Sequence, residues 1–266
     1  MLFGVTTMTF FSQPILKALE IIKESGFDYA EIWADHAWDE DKGASAEELK
    51  AALERLDLRS TVHCPIFDIK IASPNRGIRA ESLRQTFNAV DLARDLGSRL
   101  FVLHPGSKFS VLDDPQTHWR FQVDSLAKIL AYAKAQGVLA AVENMDSDKE
   151  VVSVKYWADL NRLFKDLGSS EKWVTLDITH LRDTEQVLTF IEQAGPNIAH
   201  VHLSDGTLQK MHLPIGAGDL DLPRIAAALG AQGYAGVWSL ECFIAENNLE
   251  RIRAELDSAK ALFQVR

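Results

Sequence analysis

Apolar residues recur along the chain in one order: a short β-branched or aromatic run, a polar loop, an amphipathic stretch of helical period, and then a glycine. The glycines are Gly26, Gly97, Gly137, Gly168, Gly195 and Gly233, each closing a helical pattern shortly before the next apolar run. A glycine there takes the left-handed conformation that stops a helix. Helix starts are marked as well. Ser45 with Glu48 forms a capping box, while Asp114-Pro115 and Asp221-Leu222-Pro223 place a cap residue ahead of a first-turn proline.

The pattern predicts strands near residues 2–6, 28–33, 59–63, 99–104, 138–143, 173–177, 198–203 and 236–241, with helices between them and a last helix near 247–263. Runs such as Leu100-Phe101-Val102-Leu103 and Val138-Leu139-Ala140-Ala141-Val142 are apolar at consecutive positions. A parallel sheet covered on both faces requires that. Eight βα units in about 250 residues are the extent of a TIM barrel. The expected fold is therefore α/β, a single (β/α)8 barrel occupying residues 1–266 as one domain. An open doubly wound sheet would call for a glycine-rich phosphate loop after the first strand, and Val5-Thr6-Thr7-Met8-Thr9 has none.

Composition narrows the function classes. The 266 residues are 47% hydrophobic and 25% charged, an ordinary globular balance, and no apolar run reaches the roughly 20 residues of a membrane span. The opening Met1 to Phe11 has no Lys or Arg and so lacks the basic start of a secretory signal. Two cysteines, Cys64 and Cys242, make no disulfide framework, which places the expected location in the cytoplasm. A net charge of -10 argues against a broad nucleic-acid surface, although an acidic chain can still carry a local basic groove.

Six predicted strands run apolar and then end in a side chain able to bind metal: His63, His104, Glu143, Asp177, His202 and Glu241. One such residue alone ordinarily caps a loop. In a TIM barrel, however, the strand C-termini meet at one mouth, so the six would share a pocket and point to a divalent metal site. Oxygen and nitrogen ligands without thiolate suit manganese, magnesium, cobalt or zinc alike. Strand alternation turns Cys64 and Cys242 away from the pocket and makes them packing residues. His180 and His212 follow strands six and seven, and Gly216 and Gly218 after His212 suit either a close backbone approach or a plain loop. His200 lies deeper on the face of His202, in a core or supporting role.

At these residues the chain resembles the xylose-isomerase-like TIM-barrel superfamily, which contains sugar isomerases, sugar epimerases and endonuclease IV. The resemblance spans nearly the whole chain and rests on Val102-Leu103-His104-Pro105-Gly106, Glu143-Asn144, Asp177-Ile178-Thr179-His180, His202-Leu203-Ser204-Asp205, the following His-x-x-x-Gly-x-Gly, and Glu241. It implies one divalent metal ion (Mn, Mg, Co or Zn) on Glu143, Asp177, His202 and Glu241, chelating neighbouring oxygens of a small-molecule sugar. It also implies Glu143 and Glu241 as the acid-base pair on opposite sides of the reacting carbon. His63, His104, His180, His212 and Lys210 are the expected substrate contacts.

The alternative is a phosphodiesterase of the endonuclease IV type acting on DNA with two or three zinc ions, to which His63, His104, His180 and His212 would add ligands. Two departures place it second: Lys210 stands where the nuclease has a ligating Asp, and Ile66 where it has an aromatic residue against DNA. Dehydration or lyase chemistry on a keto sugar acid would use the same equipment. A non-enzymatic binding module would leave the converging carboxylates without purpose.

Trp33, His36, Trp38, Phe67 and Arg76, in loops after the early strands, are available for sugar specificity, while Asp35 to Lys42 reads as an exposed charged stretch. Lys108, Arg182 or Lys210 could meet a phosphate, with backbone amides from the turn at Gly216. A homodimer is expected by analogy, with Trp157 and Phe164, seven apart on one helix face, as candidates for either an apolar contact or the core.

Overall fold

Eight parallel strands close into a barrel in the computed structural model, which describes residues 1–244 and 248–263. The strands are β1 (Leu2–Thr6), β2 (Tyr29–Trp33), β3 (Arg59–His63), β4 (Leu100–Leu103), β5 (Leu139–Glu143), β6 (Val174–Asp177), β7 (Ile198–Leu203) and β8 (Val237–Leu240). They pair in chain order, and β1 closes the ring on β8 from Leu2↔Val237 to Val5↔Leu240. Each strand is separated from the next by helix: α1 (Ile15–Ser25), α2 (Ala34–Ala37) with α3 (Ala46–Arg55), α4 (Arg76–Asp95), α5 (Pro115–Ala135), α6 (Trp157–Asp166), α7 (Thr184–Ala194) and α8 (Leu222–Ala231), with α9 (Leu249–Ala261) last.

Local signals set these boundaries. All six helix-closing glycines have positive φ, and Ser45 and Glu48 make both bonds of the capping box. Asp114 and Asp221 accept the backbone amides of Thr117 and Arg224 ahead of their prolines. The helix expected near 247–263 is observed over Leu249–Ala261, and residue 247 lies outside the described residues. A 3-10 turn at Thr7–Phe10 and the short α2 were not visible in the periodicity, because four residues do not complete a pattern of period 3.6.

The apolar core lies between the barrel wall and the helices. Leu19 and Ile22 of α1, Leu49 of α3, Leu126 and Ile129 of α5 and Leu160 of α6 are fully buried there. Each such side chain contributes about 1.5–3 kcal/mol relative to exposure. Phe164 belongs to this core, so it offers no dimer contact; Trp157 is half-buried, 6.3 Å from the Phe190 ring. Among the described residues no helix is long and apolar enough to cross a membrane.

The inner face of the barrel is different in kind. Alternation sends Val201 and Leu203 outward and His200 and His202 inward on β7. Register then brings the strand ends to one level, with Trp33 opposite His63, His63 opposite Val102, Asp177 opposite His202, and His202 opposite Ser239. The C-terminal mouth is therefore lined by polar side chains held on rigid strands.

Candidate metal centre

Six of the chain's eight histidines gather at this mouth: His63, His104, His180, His200, His202 and His212. Four carboxylates stand among them: Glu31, Glu143, Asp177 and Glu241. The centre is His202 Nδ1, which lies 2.8 Å from Glu241 Oε2, 3.4 Å from Glu143 Oε1 and 3.8 Å from Asp177 Oδ2. One ligand atom from each of Glu143, Asp177, His202 and Glu241 falls within 4.8 Å of all the others. All four side chains are buried.

Three of these histidines are oriented by backbone carbonyls. Nδ1 of His63 donates to Cys64 O at 2.7 Å, Nδ1 of His180 to Asn144 O at 2.8 Å, and Nδ1 of His212 to Glu241 O at 3.0 Å. A carbonyl only accepts, so the proton sits on Nδ1 and Nε2 is the atom presented to the pocket. His63 Nε2 stands 3.7 Å from Glu143 Oε2 and His180 Nε2 3.8 Å from Asp177 Oδ2. The half-buried His104 points Nε2 at Glu143 Oε2, 3.1 Å away. His212 holds a φ of 53°, a left-handed conformation.

Burial and charge oppose one another throughout. Burial would raise the Glu143 carboxyl, but the charges of His202 and His104 hold it well below the usual range. Asp177 follows the same logic with His180 and His212. Burial would lower His202, yet Glu241, Glu31 and Glu143 push it well above an ordinary imidazole, and Asp177 and Glu143 raise His180. For His104 burial wins and the pKa falls. A dry cluster of carboxylates thus demands positive charge, from protons on histidine or from a cation.

Hydrogen bonding points to the cation. Glu143 Oε2, Asp177 Oδ2, His202 Nδ1 and Glu241 Oε2 are buried without a hydrogen-bond partner among the described residues, although His202 Nδ1 and Glu241 Oε2 are only 2.8 Å apart. Buried polar atoms are ordinarily bonded, and orphans ordinarily mark a missing ion or water. Three carboxylates and one imidazole fit a divalent ion of the manganese, magnesium, cobalt or zinc type. The residues present fit the group.

Around this centre the other expected residues divide. His63 and His104 form an edge-to-face ring pair at 4.9 Å, and Cys64 Sγ comes within 4.8 Å of ring nitrogens on both. The thiol is thus nearer the pocket than alternation alone suggests; it accepts the His104 amide at 3.3 Å. Cys242 is buried, which pushes its thiol pKa up. Trp33 lies on the inner face of β2 with its Nε1 buried and unpartnered among the described residues, and its ring meets Phe11 and Phe67, both at 5.0 Å.

His36 is committed elsewhere, its ring nitrogens 3.0 Å from Thr7 O and 2.8 Å from Gln13 O, so it packs a loop and is not free for sugar. Trp38 is exposed and Arg76 starts α4 on the surface. Arg182 is held by Asp146 Oδ1 through Nε at 3.0 Å and Nη2 at 2.7 Å, and so is already paired. The Gly216 amide donates to Asp205 Oδ2 at 3.0 Å, so it is not open to a ligand. A Cβ on Gly218 would lie 2.3 Å from Asp205 Oδ1, so both glycines serve the loop. Lys210 is exposed, and its amide bonds Thr207 Oγ1 at 3.1 Å.

Sequence reasoning missed Glu31. It is fully buried on β2, with Oε2 2.6 Å from His200 Nε2 and Oε1 3.1 Å from His202 Nε2. Burial would raise its pKa, but the two histidines hold it well below the usual range. The available signal was a lone carboxylate inside the apolar run Tyr29-Ala30-Glu31-Ile32-Trp33. Asn144 was noted only as part of a motif; its side chain pairs with the Asp177 backbone, accepting Asp177 N at 2.9 Å and donating to Asp177 O at 3.1 Å.

Comparison with known proteins agrees with this architecture. A family model described as xylose isomerase-like TIM barrel matches residues 19–262. An uncharacterised protein of Methanocaldococcus jannaschii is 28% identical over 256 residues, covering 91% of this chain and 83% of its own. An L-ribulose 3-epimerase of Mesorhizobium japonicum is 28% identical over 236 residues, 86% of this chain and 76% of that one. The solved structure of a D-tagatose 3-epimerase-like protein superposes with a TM-score of 0.87 at 25% identity, over 100% of this chain and 98% of the other.

Proposed function

The chain belongs to the xylose isomerase-like TIM barrel family, and on that premise we propose that it is a divalent-metal-dependent epimerase of a keto sugar. The observation that carries this reading is the cluster of buried Glu143, Asp177, His202 and Glu241, which bring ligand atoms within 4.8 Å of one another and each carry a buried polar atom with no hydrogen-bond partner among the described residues. When bound there, a divalent ion supplies Lewis acidity toward a carbonyl oxygen and the hydroxyl beside it. The 3-epimerase names of the relatives from Mesorhizobium japonicum and of the tagatose type support the substrate class.

The chain's own groups carry the proton. Glu143 and Glu241 end or follow β5 and β8, with β6 and β7 between them, so they enter the pocket from different directions. One carboxylate takes the proton beside the ketone and the other returns one from the opposite face, which inverts that carbon. His104 Nε2, 3.1 Å from Glu143 Oε2, steadies the carboxylate as its charge changes. His63, His180 and His212 present Nε2 to substrate hydroxyls, since their Nδ1 protons are committed to carbonyls. Trp33 and Phe67 provide an apolar wall for the sugar's C–H face.

A screen of ketopentoses and ketohexoses in deuterated water, with manganese added and NMR as readout, tests the reading. Exchange at the carbon beside the ketone together with its epimer is the expected result. A second reading has its own support, because His63-Cys64-His104 and Asp177-His180-His212 also bring ligand atoms within 4.8 Å of one another. A multi-metal phosphodiesterase would show no exchange with any ketose and would cleave an abasic-site oligonucleotide with zinc.

A further inference from the structure

His202 is turned the opposite way from its neighbours. His63, His180 and His212 each give the Nδ1 proton to a backbone carbonyl and offer Nε2 to the pocket. His202 offers Nδ1 to Glu143, Asp177 and Glu241 and turns Nε2 inward, down the barrel. No carbonyl receives that nitrogen. It stands 3.1 Å from Glu31 Oε1, an ion-pair contact, and both atoms are buried with no hydrogen-bond partner among the described residues, so each is the nearest group able to satisfy the other.

Glu31 reaches this position across the barrel, since β1 and β8 lie between β2 and β7. Its other oxygen is anchored from two sides. His200 Nε2 lies 2.6 Å from Oε2, and Thr61 Oγ1 donates to the same oxygen at 3.4 Å. The 2.6 Å separation is that of a hydrogen bond. His200 thus completes the support that its depth on β7 suggested.

We propose that Glu31 is the positioning residue of the metal centre: it holds the Nε2 proton of His202, which leaves the Nδ1 lone pair facing Glu143, Asp177 and Glu241. This rests on the metal-site reading above. An imidazole binds a metal only through an unprotonated nitrogen, and a carboxylate behind it fixes both the tautomer and the ring plane and increases the ligand's basicity. His200 does the same for Glu31 at one remove.

Manganese binding to chelator-treated protein, read as free manganese by electron paramagnetic resonance, tests the proposal without any substrate. Glu31→Ala is expected to weaken binding about 10- to 100-fold. Glu31→Gln is the isosteric variant should the alanine variant fail to fold; it keeps one acceptor for a histidine N–H and is expected to lose less. The histidine tautomers of the zinc-loaded wild type, read by long-range proton–nitrogen NMR, are expected to show His202 protonated at Nε2.

Manganese affinity within twofold of wild type in folded Glu31→Ala and Glu31→Gln, or His202 protonated at Nδ1 with zinc bound, would overturn the role of Glu31. A wild type that binds no ion would overturn the metal-site reading and this role with it. That outcome appears before any substitution is made, so the two failures are told apart.

Discussion

The half of the mouth built by β5–β8 and the half built by β1–β4 use similar residue types to different ends. In the first, Glu143, Asp177, His202 and Glu241 leave buried ligand atoms with no partner among the described residues. In the second, His63 is tied to a carbonyl, the unpartnered buried atoms are Glu31 Oε1 and Trp33 Nε1, and Phe11, Trp33 and Phe67 pack into an aromatic group of which Phe67 is exposed. Unsatisfied carboxylates are costly and are kept where an ion or a proton transfer needs them. Satisfied histidines and rings cost little and suit recognition. We therefore propose that one half carries the chemistry and the other selects the substrate.

The largest test of that division is the pair of substitutions Glu143→Gln and Glu241→Gln. Each is expected to lower kcat about 100- to 10,000-fold on the true substrate, the range a positioned acid or base contributes. Both are proposed metal ligands too, so measurements belong at saturating metal. A variant keeping wild-type turnover with metal bound would remove that glutamate from the proton-transfer role.

Phe67→Ala probes the other half and is expected to do much less. The Phe67 ring is 53% exposed and packs on Trp33 at 5.0 Å, so its loss should barely change stability. Losing an aromatic contact of ~0.5–1.5 kcal/mol predicts a KM about 2- to 12-fold higher with kcat unchanged. A fall in kcat with KM constant would place Phe67 in the chemistry and blur the division.

The smallest effect is on the pH dependence of folding. Glu31, Glu143 and Asp177 have lowered pKa values, so their stabilisation is present above the ordinary carboxylate range of about 4 and is lost as pH falls through the lowered values. His202 and His180 have raised values, so theirs is present below about 6.5 and is lost as pH rises through the raised values. Metal-free protein should therefore show a Tm that falls on both sides. Added manganese should flatten the alkaline side, because a ligating His202 carries no proton on Nδ1. An alkaline fall that metal leaves unchanged would detach His202 from the centre.

Much of this was legible in the sequence, because the signals are local. Strand spans followed from apolar runs, and six glycines marked helix ends because each needs a positive φ. The six strand-end candidates were legible because they end strands that a barrel must bring together, and the family resemblance narrowed them to the four proposed ligands. Glu31 was not, because which inward residue of β7 faces it depends on barrel closure, a property of all eight strands at once. The commitments of Arg182 to Asp146 and of Gly216 to Asp205 are also contacts between loops, which no periodicity records. Phe164, seven from Trp157 on one face of α6, was open between an apolar contact and the core, because which helix covers that face is not a local signal.

The ion proposed on the β5–β8 half is tested by the metal content of protein purified without chelator, with the ion located by anomalous scattering. One divalent ion per chain, bound by Glu143, Asp177, His202 and Glu241, is the expected result. A metal-free protein that stays metal-free in excess manganese, or ions held by His63 and His104 with those four residues bare, would contradict it.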